Sequence, residues 1–509
     1  MLSTTSVRTV LAETRALFTV HRGSFLWLCG LYCVGLFALL RSNVLYVNDT
    51  SRLLERGLFL TDVGRMLADA LGSALFIPAA DMSPLTQLAA AACMAAAGVL
   101  LCVTISGRRM DRYQVLCCVP LGLSPYFLQN MSYKFDCVFM ALSALCVTAG
   151  FHWLVRYGRS WAGQLLGGLA LFCSLCLYQA MLNIFFLLGA FWCLVCVLDG
   201  KGWRAILGDA LHLIPALLCA LLLYKGSLLF VTLNAYTQQH SGTLPLRELL
   251  PGMVRNLLSY AAYIRADWSG NRLGAVAAIM LMLCVLSQCV AAFRAAPAWR
   301  ERWLRLAAAQ GLWWLGALAM PGLMLLLQAM VLEPRVFAPT GCYLALSMLL
   351  IHRYARSVLR WVSAVACGLL LVYCFGFAAA YGNALAIQDD FERMLRSHIV
   401  MDMKVFCERY HTSRVFFAGF MPRSPQLHTL EEEFPAIAKM VQVSLRNGDW
   451  HTPRKLSAWG VPAERMLPRE IADWKPRMLK QTPFYSIGIS SENILFLTLP
   501  YGRQDGLGR

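Results

Sequence analysis

The chain alternates apolar runs of bilayer-crossing length with short polar interruptions, and that alternation limits its fold more than any other feature. A helix needs roughly 20 apolar residues to cross a hydrocarbon core, and within that core its backbone groups must pair inside the segment. On that rule about eleven spans are expected, near residues 24–42, 85–105, 113–129, 136–154, 162–178, 181–198, 206–230, 273–293, 306–330, 338–351 and 360–380. The expected fold is therefore mainly α, a polytopic membrane protein of about 11 transmembrane helices. With 58% hydrophobic and only 14% charged residues among 509, a large soluble enzyme is excluded.

The net charge of +17 does not point to nucleic acid, because the basic residues are spread through short loops between apolar runs. The compact basic loops hold Arg108, Arg109 and Arg112; Arg156 and Arg159; Lys201 and Arg204; Arg294, Arg300, Arg302 and Arg305; and Arg353, Arg356 and Arg360. The N-terminus matches them with Arg8, Arg15 and Arg22. By the positive-inside rule this side, with residues 1–23, is cytoplasmic. An odd number of spans then places the C-terminus and the long loops 43–84 and 232–272 outside, in the periplasm of a Gram-negative cell. The first run, Ser24–Leu40, lacks a small-residue cleavage site and reads as a retained signal-anchor. Nearly all of the 19 cysteines lie inside apolar runs, so neither a disulfide framework nor a zinc site is expected.

The polar interruption from Asn43 to Leu85 concentrates Asp49, Arg52, Glu55, Arg56, Asp62, Arg65, Asp69 and Asp81. Charges beside a bilayer are costly to desolvate, so such a cluster reads as a site; paired charges on a solvated loop are the bland alternative. Within it, Asp62 to Phe76 is expected to be an amphipathic helix capped by Thr61. Val63, Met66, Leu67, Ala70, Leu71, Ala74 and Leu75 would share one face. In the second loop an interfacial helix is expected after Pro251, with Val254, Leu257, Leu258, Ala261 and Ile264 on its apolar face and Arg255, Asn256 and Ser259 on the other. From Tyr381 the composition changes to that of a small α/β domain, 381–509. A helix is expected over 383–410, a strand over 414–420, a helix over 427–445, and two strands over 484–499 turning at 490–493.

No phosphate-binding glycine loop, dinucleotide fingerprint, nucleophile elbow or metalloprotease helix is present. An enzymatic reading rests on polar groups gathered at one membrane face. These are the first loop, then Gln129, Asn130, Ser132, Tyr133, Lys134 and Asp136, then Tyr178 and Gln179, then Glu333-Pro334-Arg335. Each has a plainer role: Asp136 pairing with Lys134 or capping its helix, Tyr178 in an aromatic belt, Lys225 snorkelling to the interface. Together they suit sugar transfer from a lipid-phosphate donor. A carboxylate takes the proton of a hydroxyl, and arginines hold the phosphate and the charge that grows on it. A transporter is the competing class. It would carry polar groups near the midplane and often repeated halves, whereas these charges lie at one face and no repeat is visible.

The segments Y-V-N-D-T-S-R (46–52), G-R (64–65) with S-P-L (83–85), Q-N-M-S-Y-K-F-D (129–136), L-Y-Q-A (177–180), E-P-R (333–335) and Y-G-N-A-L-A-I-Q-D-D (381–390) share an order and a face. In these the chain resembles the serotype-converting O-antigen glucosyltransferases of enterobacteria and their phages, the Gtr type II family. The resemblance implies a GT-C-like membrane glycosyltransferase of the bacterial inner membrane. It would transfer glucose from undecaprenyl-phosphate glucose to lipopolysaccharide O-antigen, without a cofactor or metal and beside a separate flippase and donor-making enzyme. Another sugar, or an O-antigen polymerase or ligase, is the alternative chemistry. In that family two acids adjoin in the first loop; here the second position is Thr50, which leaves Asp49 as the matching general base, with Asp62 and Asp69 as substitutes. Arg52, Arg65, Arg335 and Lys225 would bind the donor phosphate. Asn48, Lys134, Asp136, Tyr178, Gln179 and Glu333 would shape the sugar and acceptor site, with Glu333 orienting Arg335. The C-terminal domain would grip the polysaccharide.

Overall fold

The structure, a computed structural model, describes residues 5–75, 80–107, 110–296, 298–446, 451–466 and 470–500. The expectations that fall on Phe76, Arg108 and Arg109 lie outside the described residues.

Eight of the described helices are long and apolar enough to cross a membrane: Arg22–Ser42, Leu85–Ser106, Cys137–Tyr157, Gln179–Leu198, Trp203–Leu228, Arg272–Ala295, Pro334–Tyr354 and Ser357–Arg409. Three expected spans take other forms, each for a visible reason. The run at 113–129 becomes three short helices, Arg112–Cys117, Val119–Leu123 and Pro125–Ser132. Pro120 and Pro125 restart the chain at first-turn positions where a proline needs no backbone donor. The helix at 162–178 is real but short, Trp161–Leu177. Trp299–Ala319 opens with Arg300, Glu301, Arg302 and Arg305, which leaves less of it apolar. Large apolar side chains such as Phe37, Leu222, Trp361 and Val372 remain exposed on the helix surfaces, as a lipid-facing exterior requires.

Contacts sort the connections into two ends. At one, Arg353 donates to Ser106 O and Asp199, Arg305 to Val197 O, and His352 meets Asp111. The N-terminal helix Val7–Val20, which composition did not announce, joins this end through Trp153 donating to Thr14. At the other end lie the 43–75 loop, the 129–136 and 178–182 turns, the 320–338 segment and the C-terminal domain, joined by the contacts described below.

Ser357–Arg409 is a single helix of 53 residues. At 1.5 Å per residue it is about 80 Å long, far more than a bilayer requires, so its second half projects beyond the bundle. The expected break near residue 381 does not occur, because Tyr381, Ala384 and Leu385 still pack in the bundle core while Leu395, Ile399 and Met403 enter the core of the C-terminal domain. That domain carries a five-stranded mixed sheet in the order β2-β1-β5-β4-β3: β1 Arg414–Ala418, β2 Glu464–Arg465, β3 Arg477–Gln481, β4 Ser486–Ile489 and β5 Leu495–Thr498. The β4–β5 hairpin and β1 match expectation, whereas the expected 427–445 helix is split into His428–Glu433 and Pro435–Met440, the second beginning at the proline.

The first loop also differs. Thr61 does not cap a helix from Asp62. It stands in a single 3₁₀ turn, Thr61–Val63, and donates to Asp69 Oδ2 at 2.5 Å. Gly64 (φ 74°) then reverses the chain into helix Met66–Leu75. A Cβ at Gly64 would lie 2.7 Å from Tyr224 Oη, so both its conformation and its packing call for glycine. In the second loop the expected helix forms over Leu249–Trp268, and its outward side carries part of the apolar face, as on an interfacial helix, together with Arg255. Asn256, Tyr260, Tyr263 and Asp267 are buried, and Val254, Leu258 and Ala261 face outward. Its polar groups find partners inside: Asn256 donates to Leu325 O and Leu327 O.

Gly382 allows the long helix to lie against Arg22–Ser42; a Cβ there would sit 2.4 Å from Ala38 C and Leu39 N. Backbone cannot yield as a side chain can, so Gly382→Val is expected to lower stability by about 2 kcal/mol. Gly376→Val, where nothing lies within 4 Å, should be nearly neutral. Thermal unfolding of the two detergent-solubilised variants checks the contrast.

Candidate functional site

The site is built where the first loop, the 129–136 turn, the 178–182 turn and the 333–337 turn converge. Asn43 (φ 48°) closes helix Arg22–Ser42 in the left-handed conformation, one that asparagine tolerates better than most residues. Its carbonyl and Oδ1 both accept from Lys134 Nζ, at 3.2 and 2.6 Å. The following helix, Asp49–Glu55, has only seven residues. Asp49 and Arg52 lie one turn apart on its inner face, and both are buried.

Lys134 does not pair with Asp136. Its ammonium bonds Asp81 at 2.7 Å, while Arg52 takes Asp136 in a two-pronged grip, with Nη2 donating to Oδ2 at 2.8 Å and Nη1 donating to Oδ1. Asp136 stands at the N-cap of its helix, but its side chain makes no capping hydrogen bond. Both partners of the Arg52–Asp136 pair are about 4% exposed, so the pair is desolvated and depends on its geometry. Arg65 follows at the edge: Nη1 lies 4.0 Å from Asp136 Oδ2, and the guanidinium rests over the Tyr178 ring at 4.5 Å. Arg335 closes the ring from the 3₁₀ turn Pro334–Phe337. Its backbone N–H donates to Gln129 Oε1 at 2.6 Å, and its guanidinium lies over Tyr133 at 5.2 Å and donates to the Tyr133 hydroxyl. Gln129 also donates to Tyr46 Oη at 2.9 Å, and Tyr46 packs edge-on against Tyr133.

Asp49 Oδ2 accepts from the backbone N–H of Tyr46 at 2.9 Å and of Lys134 at 3.3 Å, while its Oδ1 is buried without a partner. Burial pushes its carboxyl up to about 7; Arg52 and the two backbone donors oppose the rise, and Asp136 adds to it. Burial also works against the charge on Arg65, helped by Arg335 and Arg52. Asn48 Oδ1, Arg65 Nε, Asn130 Oδ1 and Tyr178 Oη share the condition of Asp49 Oδ1, buried and without a hydrogen-bond partner among the described residues. Unpaired buried polar atoms are costly, and five of them on adjoining segments mark a place made for a polar ligand. Arg52 and Arg65 beside Asp136, with Arg335 acting on Arg65 from across the ring, suit an anionic ligand.

The remaining expected site residues stand elsewhere. Asp62 is exposed, and Asp69 is taken by Thr61. Lys225 is exposed near the end of helix Ile214–Leu228 and forms no ion pair among the described residues. Gln179 spends its amide on Val63 O, Gly64 O and Tyr224 Oη, so it holds the Gly64 turn that carries Arg65. Glu333 makes no ion pair with Arg335 and instead lies near Tyr46, Tyr133 and Tyr178. Reading the sequence marked Tyr46, Gln129 and Tyr133 only as parts of polar stretches; their hydroxyl and amide network appears once segments up to 206 positions apart are brought together.

A family model described as glucosyl transferase GtrII matches residues 37–375. That range contains every residue of the ring and ends before the C-terminal domain. No curated protein and no solved structure matches the chain.

Removing Arg52 alone strands a buried carboxylate, so Arg52→Met is expected to cost about 3–5 kcal/mol, with much of the loss recovered in Arg52→Met/Asp136→Leu. Unfolding midpoints of the single and double variants check this. Asp49 has the opposite sign. Its folded pKa stands above the unfolded value of 3.8, so the native state holds the extra proton and stability falls as pH rises from about 4 to about 7. Asp49→Asn removes that slope and is expected to raise the melting temperature at pH 8 but not at pH 4.

Proposed function

The chain belongs to the glucosyl transferase GtrII family, and from that premise and the buried ring of charges we propose that it transfers glucose from undecaprenyl-phosphate glucose to O-antigen repeat units. The reaction would take place at the periplasmic face of the inner membrane. The single observation that carries this reading is the convergence of Arg52, Arg65 and Arg335 with a carboxyl whose pKa is raised to about 7. A phosphodiester donor needs cationic groups to hold its phosphate and stabilise its departure. An acceptor hydroxyl needs a base poised near the working pH.

In this reading Asp49 Oδ1, the oxygen without a partner, accepts the proton of the acceptor hydroxyl. The hydroxyl oxygen bonds to the glucose C1, the bond from C1 to the phosphate oxygen breaks, and that oxygen keeps the electron pair. Arg65 meets the growing phosphate charge, since Arg52 is engaged by Asp136 and Arg335 leans on Tyr133. Arg52 and Asp136 set the position of Asp49, while Tyr178 and Glu333 border the sugar. The polyprenyl tail calls for a bilayer-embedded enzyme, which the eight apolar helices suit. The basic connections at the far end support a cytoplasmic N-terminus with the first loop, the second loop and residues 381–509 in the periplasm.

Cells given the chain and the donor-making partners are expected to gain one hexose per repeat unit by mass. Asp49→Asn should reduce transfer by about 10³-fold, and the wild-type rate should rise with pH through about 7 as Asp49 loses its proton. Arg65→Ala should lower kcat with the protein still folded, more than Arg65→Lys does. Full transfer by Asp49→Asn would dismiss Asp49 as the base.

A further inference from the structure

The C-terminal domain lies beyond the family match, yet it touches the short helix Asp49–Glu55 of the site. Ser51 and Glu55 stand four residues apart on helix Asp49–Glu55, on a flank turned roughly 110° from the side of Asp49 and Arg52. His451 Nδ1 is hydrogen bonded to Ser51 Oγ at 2.7 Å in a buried contact, and Arg454 forms an ion pair with Glu55. Both come from one short stretch of the C-terminal domain, at and within the helix Thr452–Ala458. A helix of seven residues has almost no stability of its own, so it takes its position from what holds its two faces. Arg52–Asp136 holds the inner side, and His451 and Arg454 hold the adjoining flank.

We infer that His451 and Arg454 are positioning residues of the transferase site. By clasping Ser51 and Glu55 across some 400 positions of sequence, they keep Asp49 and Arg52 turned into the ring. This rests on the reading of Asp49 as the base. The domain is then a working part of the enzyme and not a detachable appendage. Its other ties run the same way: Tyr46 donates to Met440 O, and Lys439 bonds Asp267 at 2.6 Å. The tail thus meets the first loop at Tyr46 and the second at Asp267, and the clasp is the tie that reaches the helix of the base itself.

Amide hydrogen exchange of the full-length protein in lipid nanodiscs tests the clasp without relying on activity. His451→Ala and Arg454→Ala are expected to speed exchange across residues 49–56 by about tenfold, with Leu85–Ser106 unchanged. His428→Ala, whose side chain is 77% exposed, serves as the surface control. In the transfer assay the rising limb of the pH profile should move to lower pH in both clasp variants, because water reaching Asp49 removes the burial that raises its carboxyl. A merely structural loss would reduce the amount of active enzyme and leave that limb in place. Unaltered exchange at 49–56 in both variants overturns the clasp. Faster exchange with an unmoved limb overturns the positioning role. Faster exchange in a chain whose wild type transfers no glucose leaves the clasp standing and overturns the transferase reading.

Discussion

The Arg52–Asp136 pair is the interaction on which the rest of the site depends. It ties a seven-residue helix in a loop to the start of a long helix in the bundle core, and both partners are desolvated. Two charges taken out of water are held by geometry, so the pair contributes specificity of position more than net stability. Its consequences spread outward. Asp136 engaged with Arg52 leaves Arg65 at 4.0 Å, a distance that orients it without saturating it. Lys134, released from Asp136, turns to Asp81 and Asn43, and its backbone N–H is left to hold Asp49. The order of charges around the ring follows from this one choice of partner.

Family membership and geometry contribute different things here. The match over residues 37–375 gives the class of reaction and covers the ring. It does not say which carboxylate acts. Asp49 is proposed on a physical asymmetry: Asp62 is exposed, Asp69 is bonded to Thr61, and Asp136 is held by Arg52. Asp49 alone of these four is buried with one oxygen tied to two backbone donors and the other oxygen unpaired. A carboxylate tied at one oxygen keeps its orientation while the second remains able to accept a proton.

Much of the fold was legible because a bilayer imposes a length and a composition on each span, and the apolar runs report both. What failed to read was local chemistry that overrides those rules. Pro120 and Pro125 divide 113–129, and the absence of any proline from Ser357 to Arg409 lets one helix serve two cores. The inward side of Leu249–Trp268 is instructive. An amphipathic pattern gives two faces but not which one meets lipid, and buried carbonyls of 325 and 327 recruit Asn256 inward. In the site, Asp49, Arg52, Arg65, Asp136, Tyr178 and Arg335 were visible as charged or aromatic residues in polar interruptions. Their pairing was not, because Lys134 two residues away was the plainer partner for Asp136 and lost to an arginine 84 positions distant. His451 and Arg454 carried no signal at all, since a histidine and an arginine in a charged tail look like solvated surface until the chain is folded.

These particulars bear on why a bundle of apolar helices carries so many unpaired polar atoms at one end. A folded chain selected for stability alone would satisfy Asp49 Oδ1, Arg65 Nε and Tyr178 Oη, each of which lacks a hydrogen-bond partner. Their orphaned state is a local sacrifice of stability that a bound anion and a sugar hydroxyl would reverse, so the ligand completes the hydrogen bonding that the chain leaves open. The same burial that makes these atoms costly also lifts the Asp49 carboxyl to about 7, where a base both exists in ionised form and still has affinity for a proton. Destabilisation and readiness for chemistry therefore have one cause, the exclusion of water from the ring. The elements that exclude it are the aromatic wall of Tyr46, Tyr133 and Tyr178 and the C-terminal segment that reaches Tyr46 through Met440.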